Sequence, residues 1–584
     1  MNFKVKCNFQ KKRKSIKPVL VYGNKIILSL EFQIITMTTS SPLLQFLKRE
    51  KETADEIYLR QPFGGNWNTR TWSQAGDEAR RVASGLKSLG LPEKSHVAIL
   101  SKNCAEWILA DLAIMMAGYI SIPVYPTLSA HAIHPILVHS DTKAIMIGKL
   151  DDFADQQNGI PGNIIRISME KYGIKSAHTL EKFISAHSPL EEIYSWKQEE
   201  VFTIIYTSGT TGKSKGVMHS IEAFDTVLKV AIQDLELPQR PRLFSYLPLS
   251  HIAERIGIEM NSFYTGASIS FAESLDSFAK NLADTQPDIF FAVPRIWGKF
   301  REKILEKLPQ KKLNILLALP LINGVIKKKI RKSLGLANAS HIYSAAAPLS
   351  KELMLWFDKL GIRILQAYGM TEDCVYSHFC SPSSNRYGTV GKPLSNQEVI
   401  IADDGEIRKK SKGDMKGYYK EKEMTEEMFD EQGFLKTGDM GEYDQDAYLM
   451  ITGRVKDQFK TDKGKYISPS AIEIKILANT VVEHVCVVGT GVPQPIALIT
   501  LSDTGKKKSR EELNTLFKQL LSAINTTLEK FEKLEKIVVM KESWTIDNGF
   551  ITPTLKVKRN VLEKKHLPKY PVWFGEKDLV VWEK

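Results

Sequence analysis

The sequence predicts two different architectures in one chain: a large α/β N-terminal domain, then a smaller α+β C-terminal domain. Three observations support this. A chain of 584 residues exceeds what a single core accommodates. From His96 short β-rich runs alternate with helix-length amphipathic runs. Near the end the pattern changes to paired alternating runs around one long amphipathic segment.

In chain order, "HVAIL" reads as a short buried strand, "CAEWILADLAIMMAG" as a helix closing at Gly118, and "YISIPVY" as the next strand. "AIMIG", "FTIIYTSG" and "IFFAVPR" continue the series, the signature of a parallel sheet covered by helices. No repeat period recurs. Later, "VVEHVCVVG" and "QPIALITLS" alternate like neighbouring strands. After Ser509, the residues Leu513, Leu516, Phe517, Leu520, Leu521 and Ile524 share one helical face, and "KIVVMK" adds a strand. The boundary is placed at "ITGRVKDQ", giving domains 37–452 and 453–584.

Apolar residues at 43% and charged residues at 25% describe an ordered globular chain, and five cysteines are too few for a disulfide scaffold. Reduced thiols and a cytoplasmic location are expected. Cys374, His378 and Cys380 do not have zinc-ligand spacing. No run reaches the roughly 18 apolar residues of a membrane span.

The net charge of +13 is concentrated in two places. Residues 1–36 form a basic leader with eight Lys/Arg and only Glu31 opposing them; it lacks a secretory h-region and reads as a disordered tail or an upstream-start artefact. Arg301 to Lys332 carries ten Lys/Arg around the apolar "LNILLALPLINGV". That combination suits an anionic membrane surface better than nucleic acid, and no nucleic-acid partner is expected; a helix with a solvated basic face is the plainer reading.

"IIYTSGTTGKSKG" has the composition of a phosphate cradle. Gly209 and Gly212 let backbone N–H groups turn toward an anion, Thr207, Ser208, Thr210 and Thr211 add hydroxyl donors, and Lys213 adds charge. It is not a P-loop: Thr207 stands where the first glycine is required, and no helix follows. The loop instead joins the strands "TIIY" and "GVMH".

This loop closely resembles the signature of the acyl-adenylate-forming superfamily, which includes acyl-CoA synthetases, peptide-synthetase adenylation domains and beetle luciferases. "LPLSHIAER", "AVPRIWGKF", "YSAAAPLS", "LQAYGMTED", "GYYK", "LKTGDMG", "ITGRVKD" and "ITPTLKVKR" resemble its later motifs in order, across Phe202 to Arg559. "SYLPLSHIAER" and "FFAVPRIWGKF" look most like long-chain and bubblegum-type fatty acyl-CoA synthetases. The resemblance implies mixed, mostly parallel sheets in the large domain, a small domain joined by a hinge at Lys456, and ligation of a medium- or long-chain fatty acid to coenzyme A through acyl-AMP.

The same resemblance assigns roles. Thr207, Ser208, Gly209, Thr210, Thr211, Gly212 and Lys213 would hold the phosphates of ATP. Ala346, Tyr368, Gly369 and Thr371 would border the nucleotide, Asp439 and Arg454 would hold its ribose and phosphate, and Glu372 with Thr207 would hold Mg²⁺. Lys556 would act in adenylation together with Thr207, Lys213 and Arg454, although Leu555 replaces the family's glycine and Lys558 lies close by. His251 and Ala345 would line the acyl or thiol channel, and alanines replace the family's glycine-rich form of "SAAAPL". Two alternatives stay open: transfer of the acyl group to a carrier-protein thiol, and a fold that binds nucleotide without turnover.

Overall fold

A computed structural model describes residues 40–208, 214–347, 349–552 and 556–584, and all counts below refer to these. The basic leader lies outside them, as do Gly209, Thr210, Thr211, Gly212 and Lys213 of the phosphate-cradle loop.

Two large sheets dominate the first part of the chain. One has eight strands and is parallel through its centre, where His96–Leu100 pairs with Ile120–Val124 and Ala144–Ile147. Its other end is antiparallel: Val201–Ser208 turns back as Ser214–Ser220, which pairs with Gly417–Tyr418. The second sheet has nine strands, with Arg242–Ser245, Ile289–Ala292, His341–Ser344 and Leu365–Tyr368 parallel at its centre. The large domain is therefore α/β with mixed, mostly parallel sheets, as expected.

Residues of both sheets share one core, which includes Val97, Ile99, Met146 and Phe202 from the first and Leu59, Leu243, Ile269 and Tyr343 from the second. The helix Ala105–Met116 is buried along its whole length within it, which explains a run apolar on every side. One charge cluster is buried there too. Arg255 donates to both carboxylate oxygens of Asp111 at 2.8 and 2.6 Å, and both side chains are fully buried. Arg255 opens a π-helical turn, Arg255–Met260.

The segment before His96 was not anticipated. There, Ile57–Phe63 pairs with the distant Ser268–Phe271, a long-range contact that local patterning does not reveal.

A third sheet, Gln397–Ile401, Glu406–Ser411, Leu435–Tyr443 and Leu449–Arg454, is antiparallel and carries two site residues. Beyond a 3-10 turn at Val455–Asp457, the remaining chain builds its own core. There Val482–Val488, Ile496–Leu501, Lys536–Val539 and Val580–Trp582 form a four-stranded sheet. The helix Arg510–Asn525 packs Leu513, Phe517, Leu521 and Ile524 into that core. A capping box starts it: the Ser509 hydroxyl accepts from Glu512 N while Glu512 accepts from Ser509 N.

Candidate active site

Where the parallel strand Leu365–Tyr368 ends, the chain makes a tight turn and enters the 3-10 helix Thr371–Asp373. Gly369 permits the turn, because a Cβ there would meet the Val375 backbone at 2.6 Å. Asp373 fixes it from inside, accepting from Met370 N at 2.8 Å and Tyr376 N at 3.2 Å. Lys409, fully buried, lies 3.4 Å from Asp373 and 3.3 Å from Asp414. Thr371 and Glu372 thus stand on a clamped turn.

Glu372 Oε1 accepts from the Tyr418 hydroxyl at 2.8 Å. Burial raises the Glu372 pKa, and the hydrogen bond from Tyr418 opposes that. Lys215, just beyond the cradle loop, stands over the Tyr418 ring at 5.0 Å and also favours the Glu372 carboxylate. Thr207 pairs with Lys215 at the rim of the antiparallel hairpin, and Ser208 with Ser214. The cradle loop therefore springs from the same corner as Glu372.

Asp439 and Arg454 lie directly opposite each other on neighbouring antiparallel strands. Arg454 Nε donates to Asp439 Oδ1 at 2.9 Å, and the Tyr368 hydroxyl donates to Oδ2 at 2.9 Å. Gly438 precedes the aspartate with φ +70°, a left-handed conformation that costs glycine least, and its N–H donates to Glu406 at 3.0 Å. Asp439 holds the Arg454 guanidinium above its usual pKa.

Lys556 comes from the C-terminal part of the chain. It is exposed as a residue, yet enough protein surrounds its ammonium to lower its pKa to about 8. Burial acts first and Arg454 adds to it, while Asp439 and Glu372 oppose the shift. All three groups are therefore within electrostatic reach of this one lysine. Lys558 has a structural place instead: it precedes the helix Arg559–His566, its backbone N–H donating to Phe550 O at 2.8 Å. Arg559 anchors the segment by pairing with Glu473 and lying 4.0 Å from Asp457, beside the 3-10 turn.

His251 lies within electrostatic reach of Lys556. Its Nδ1 accepts from Ala253 N at 3.2 Å, which makes it an acceptor-side tautomer capping a short helix. Burial, with Lys556 adding to it, lowers its pKa to about 4, so the ring is neutral near pH 7. Ala345 is buried in the main core. Ala346 follows with φ +71°, in the region where the resemblance calls for glycine. Lys456 lies in the turn Val455–Asp457, between the Asp439 sheet and the last core.

Residues 46–419 match the model of the AMP-binding enzyme family, and residues 456–566 match that of the AMP-binding enzyme C-terminal domain. The chain belongs to the AMP-binding enzyme family. Relatives in this family include the long-chain-fatty-acid–CoA ligase FadD15 of Mycobacterium bovis, 26% identical over 89% of this chain and 94% of that protein. Another is the long-chain-fatty-acid–CoA ligase ACSBG2 of Xenopus laevis, 28% identical over 89% of this chain and 82% of that protein. The fold is similar to an anthranilate CoA ligase solved with anthranoyl-AMP: TM-score 0.74, 21% identity, covering 90% and 97% of the two chains. It is also similar to the adenylation domain of a Mycobacterium chelonae carboxylate reductase, with TM-score 0.77 and 19% identity, covering 92% of each.

For an AMP-binding enzyme, this corner contains several supporting residues that the motifs alone did not single out. Tyr418 sits inside the quoted "GYYK", so its signal was present without a partner to attach it to. Lys409 carried a weaker one: it is a lysine at an inward position of an alternating strand.

Proposed function

We propose that this AMP-binding enzyme joins a medium- or long-chain fatty acid to coenzyme A in two steps, consuming ATP. A carboxylate oxygen attacks the α-phosphorus, the bond to the β-phosphate breaks, and pyrophosphate leaves acyl-AMP behind. The thiol, giving up its proton, then attacks the acyl carbon and AMP leaves. The observation that carries this reading is the convergence of Lys556 with Arg454, Asp439 and Glu372. The printed activities of the relatives supply the substrate class.

In the first step two anions must meet, so preorganised positive charge is the main requirement. Lys556 and Arg454 supply it, and the resemblance assigns the phosphate contacts to Thr207–Lys213, of which 209–213 lie outside the described residues. Near pH 7, Lys556 with a pKa of about 8 is mostly protonated. Asp439, whose two oxygens are already oriented by Arg454 and Tyr368, accepts from the ribose hydroxyls. Tyr368, Gly369, Thr371 and Ala346 border the base and phosphate, and His251 and Ala345 belong to the channel for the acyl or thiol group.

Mg²⁺ fits the donor set at Glu372. A half-buried carboxylate and a threonine hydroxyl are hard oxygen ligands, and a cation would offset the desolvation that raises the Glu372 pKa. When bound, it neutralises phosphate charge. Tyr418 keeps the carboxylate oriented.

Among the described residues no helix is long and apolar enough to cross a membrane. Peripheral attachment to an anionic membrane belongs to this reading, because the fatty acid itself partitions into bilayers. The proposal is tested by exchange of labelled pyrophosphate into ATP, which is expected to require a fatty acid but not CoA. Exchange that ignores the fatty acid would remove the adenylation step.

A further inference from the structure

The sequence from 310 to 333 folds into two consecutive helices, Gln310–Ala318 and Pro320–Ser333, joined at Leu319. Pro320 opens the second at its first turn, where a missing N–H costs nothing. One side of the pair is seated: Leu313 is buried, and Leu317, Ile326 and Ile330 pack on the core around Trp297 and Phe357. The other side is bare. Leu321 is 92% exposed, Val325 65% and Ile315 63%, with Leu319 and Ile322 also exposed.

Exposed apolar side chains in such a group need a partner, since isolated ones are ordinary but contiguous ones mark a contact surface. Their arrangement identifies it. At 100° per residue, Leu321, Val325, Lys328 and Lys332 fall in one outward stripe of the second helix, with Ile322 and Lys329 beside it. The apolar residues sit at the joint and the lysines follow toward the other end. Leu321 and Lys328 are separated by about 10 Å of helix rise, the depth to which interfacial helices bury their apolar side. No acidic residue occurs between Lys307 and Lys351, so nothing in the chain segment offsets these lysines. Lys327 is a different case: it is half-buried, its side chain reaching toward Gly361.

We propose that this helical pair docks the protein joint-first on an anionic lipid surface, with Leu319, Leu321, Ile322 and Val325 entering the acyl boundary and Lys328, Lys329 and Lys332 contacting headgroup phosphates. A carboxylate-rich protein surface would satisfy the lysines but would leave four aliphatic side chains against polar groups, so the lipid surface fits both halves of the stripe. The inference rests on the membrane attachment included in the function proposed above, but its test involves no turnover, so either can fail alone.

The test is co-sedimentation of the full chain with phosphatidylcholine vesicles, with and without about one-third phosphatidylserine. Binding is expected only with the anionic lipid and to weaken with added salt. Replacing Lys328, Lys329 and Lys332 with Gln removes about 1 kcal/mol, or roughly fivefold, per charge, so the triple variant loses on the order of a hundredfold in partitioning. Lys327→Gln alone changes little. Leu321→Asp with Val325→Asp abolishes binding while leaving the circular dichroism spectrum and the thermal midpoint of the chain unchanged, which shows that the variant is folded. Leu321→Trp adds emission that shifts to the blue on anionic vesicles, read as the difference from the unsubstituted chain. Equal binding to both vesicle types, no binding to either, or an unshifted difference emission from the introduced indole overturns the proposal; the second result would redirect the surface to an acidic protein partner.

Discussion

Arg295, in the first turn of the helix Pro294–Lys307, forms an ion pair with Glu483 on the strand Val482–Val488. This contact joins the two parts of the chain while Lys556 faces the Asp439–Arg454 pair. Both partners are partly solvent-exposed, so the pair contributes at most about 1 kcal/mol. Arg295→Ala is therefore expected to slow acyl-AMP formation up to about fivefold, with thioester formation from supplied acyl-AMP unchanged or faster. Single-turnover assays of the two steps check this. Equal slowing of both would show that Arg295 supports the fold and not one domain orientation.

Lys556→Met should reduce pyrophosphate–ATP exchange by at least about a hundredfold, about 2.7 kcal/mol, and leave the thioester step within roughly threefold. Lys558→Met should affect neither. The sign of the pH dependence follows from the lowered pKa: the ammonium is the active form, so kcat/KM for the first step falls as pH rises through about 8. Lys556→Arg places a guanidinium there that keeps its proton, and whatever activity the variant retains should lose this alkaline limb. A limb that persists in Lys556→Arg assigns it to another group.

Glu372→Gln is expected to lower the rate at least about tenfold, about 1.4 kcal/mol, and to raise the Mg²⁺ concentration needed for half-maximal exchange. Tyr418→Phe removes the hydrogen bond to Oε1 and should act in the same direction by a smaller factor. Mn²⁺ binding measured by electron paramagnetic resonance in the presence of ATP gives a second readout. Unchanged affinity in both variants would take the metal away from this corner.

How much of this was legible in the sequence depends on whether the signal is local. The strands around His96, Ile145, Phe202 and Phe290 and the helix after Ser509 carry their own periodicity, and the α/β then α+β reading holds. The pairing of Ile57–Phe63 with Ser268–Phe271 spans some two hundred residues and leaves no local trace. In the site, "KTGD" and "ITGR" name Asp439 and Arg454, but only the antiparallel register makes them face each other. Tyr418 acts through Glu372 and Lys409 through Asp373, each a contact between distant segments. Nothing local in the run Lys327, Lys328, Lys329 sets the first apart; the helix periodicity leaves Lys327 half-buried and the other two exposed.

On the proposed two-step reading, a hinge at Lys456 would separate the half-reactions, because Lys556 would have to leave the acyl carbon before a thiol could reach it. Lys456→Pro fixes φ near −65°, a value the observed 3-10 turn accommodates. Exchange is expected to stay within roughly threefold of wild type while acyl-CoA formation slows at least about tenfold. Parallel loss in both assays would falsify rotation at this residue.

The most direct measurement is product formation by the purified full chain with ATP, Mg²⁺, CoA and fatty acids of increasing chain length. The account predicts fatty acyl-CoA, AMP and pyrophosphate in equal amounts, with acyl-AMP accumulating when CoA is omitted and medium- to long-chain acids preferred. AMP formation that requires a carrier-protein thiol in place of CoA, or no AMP with any fatty acid, would contradict it.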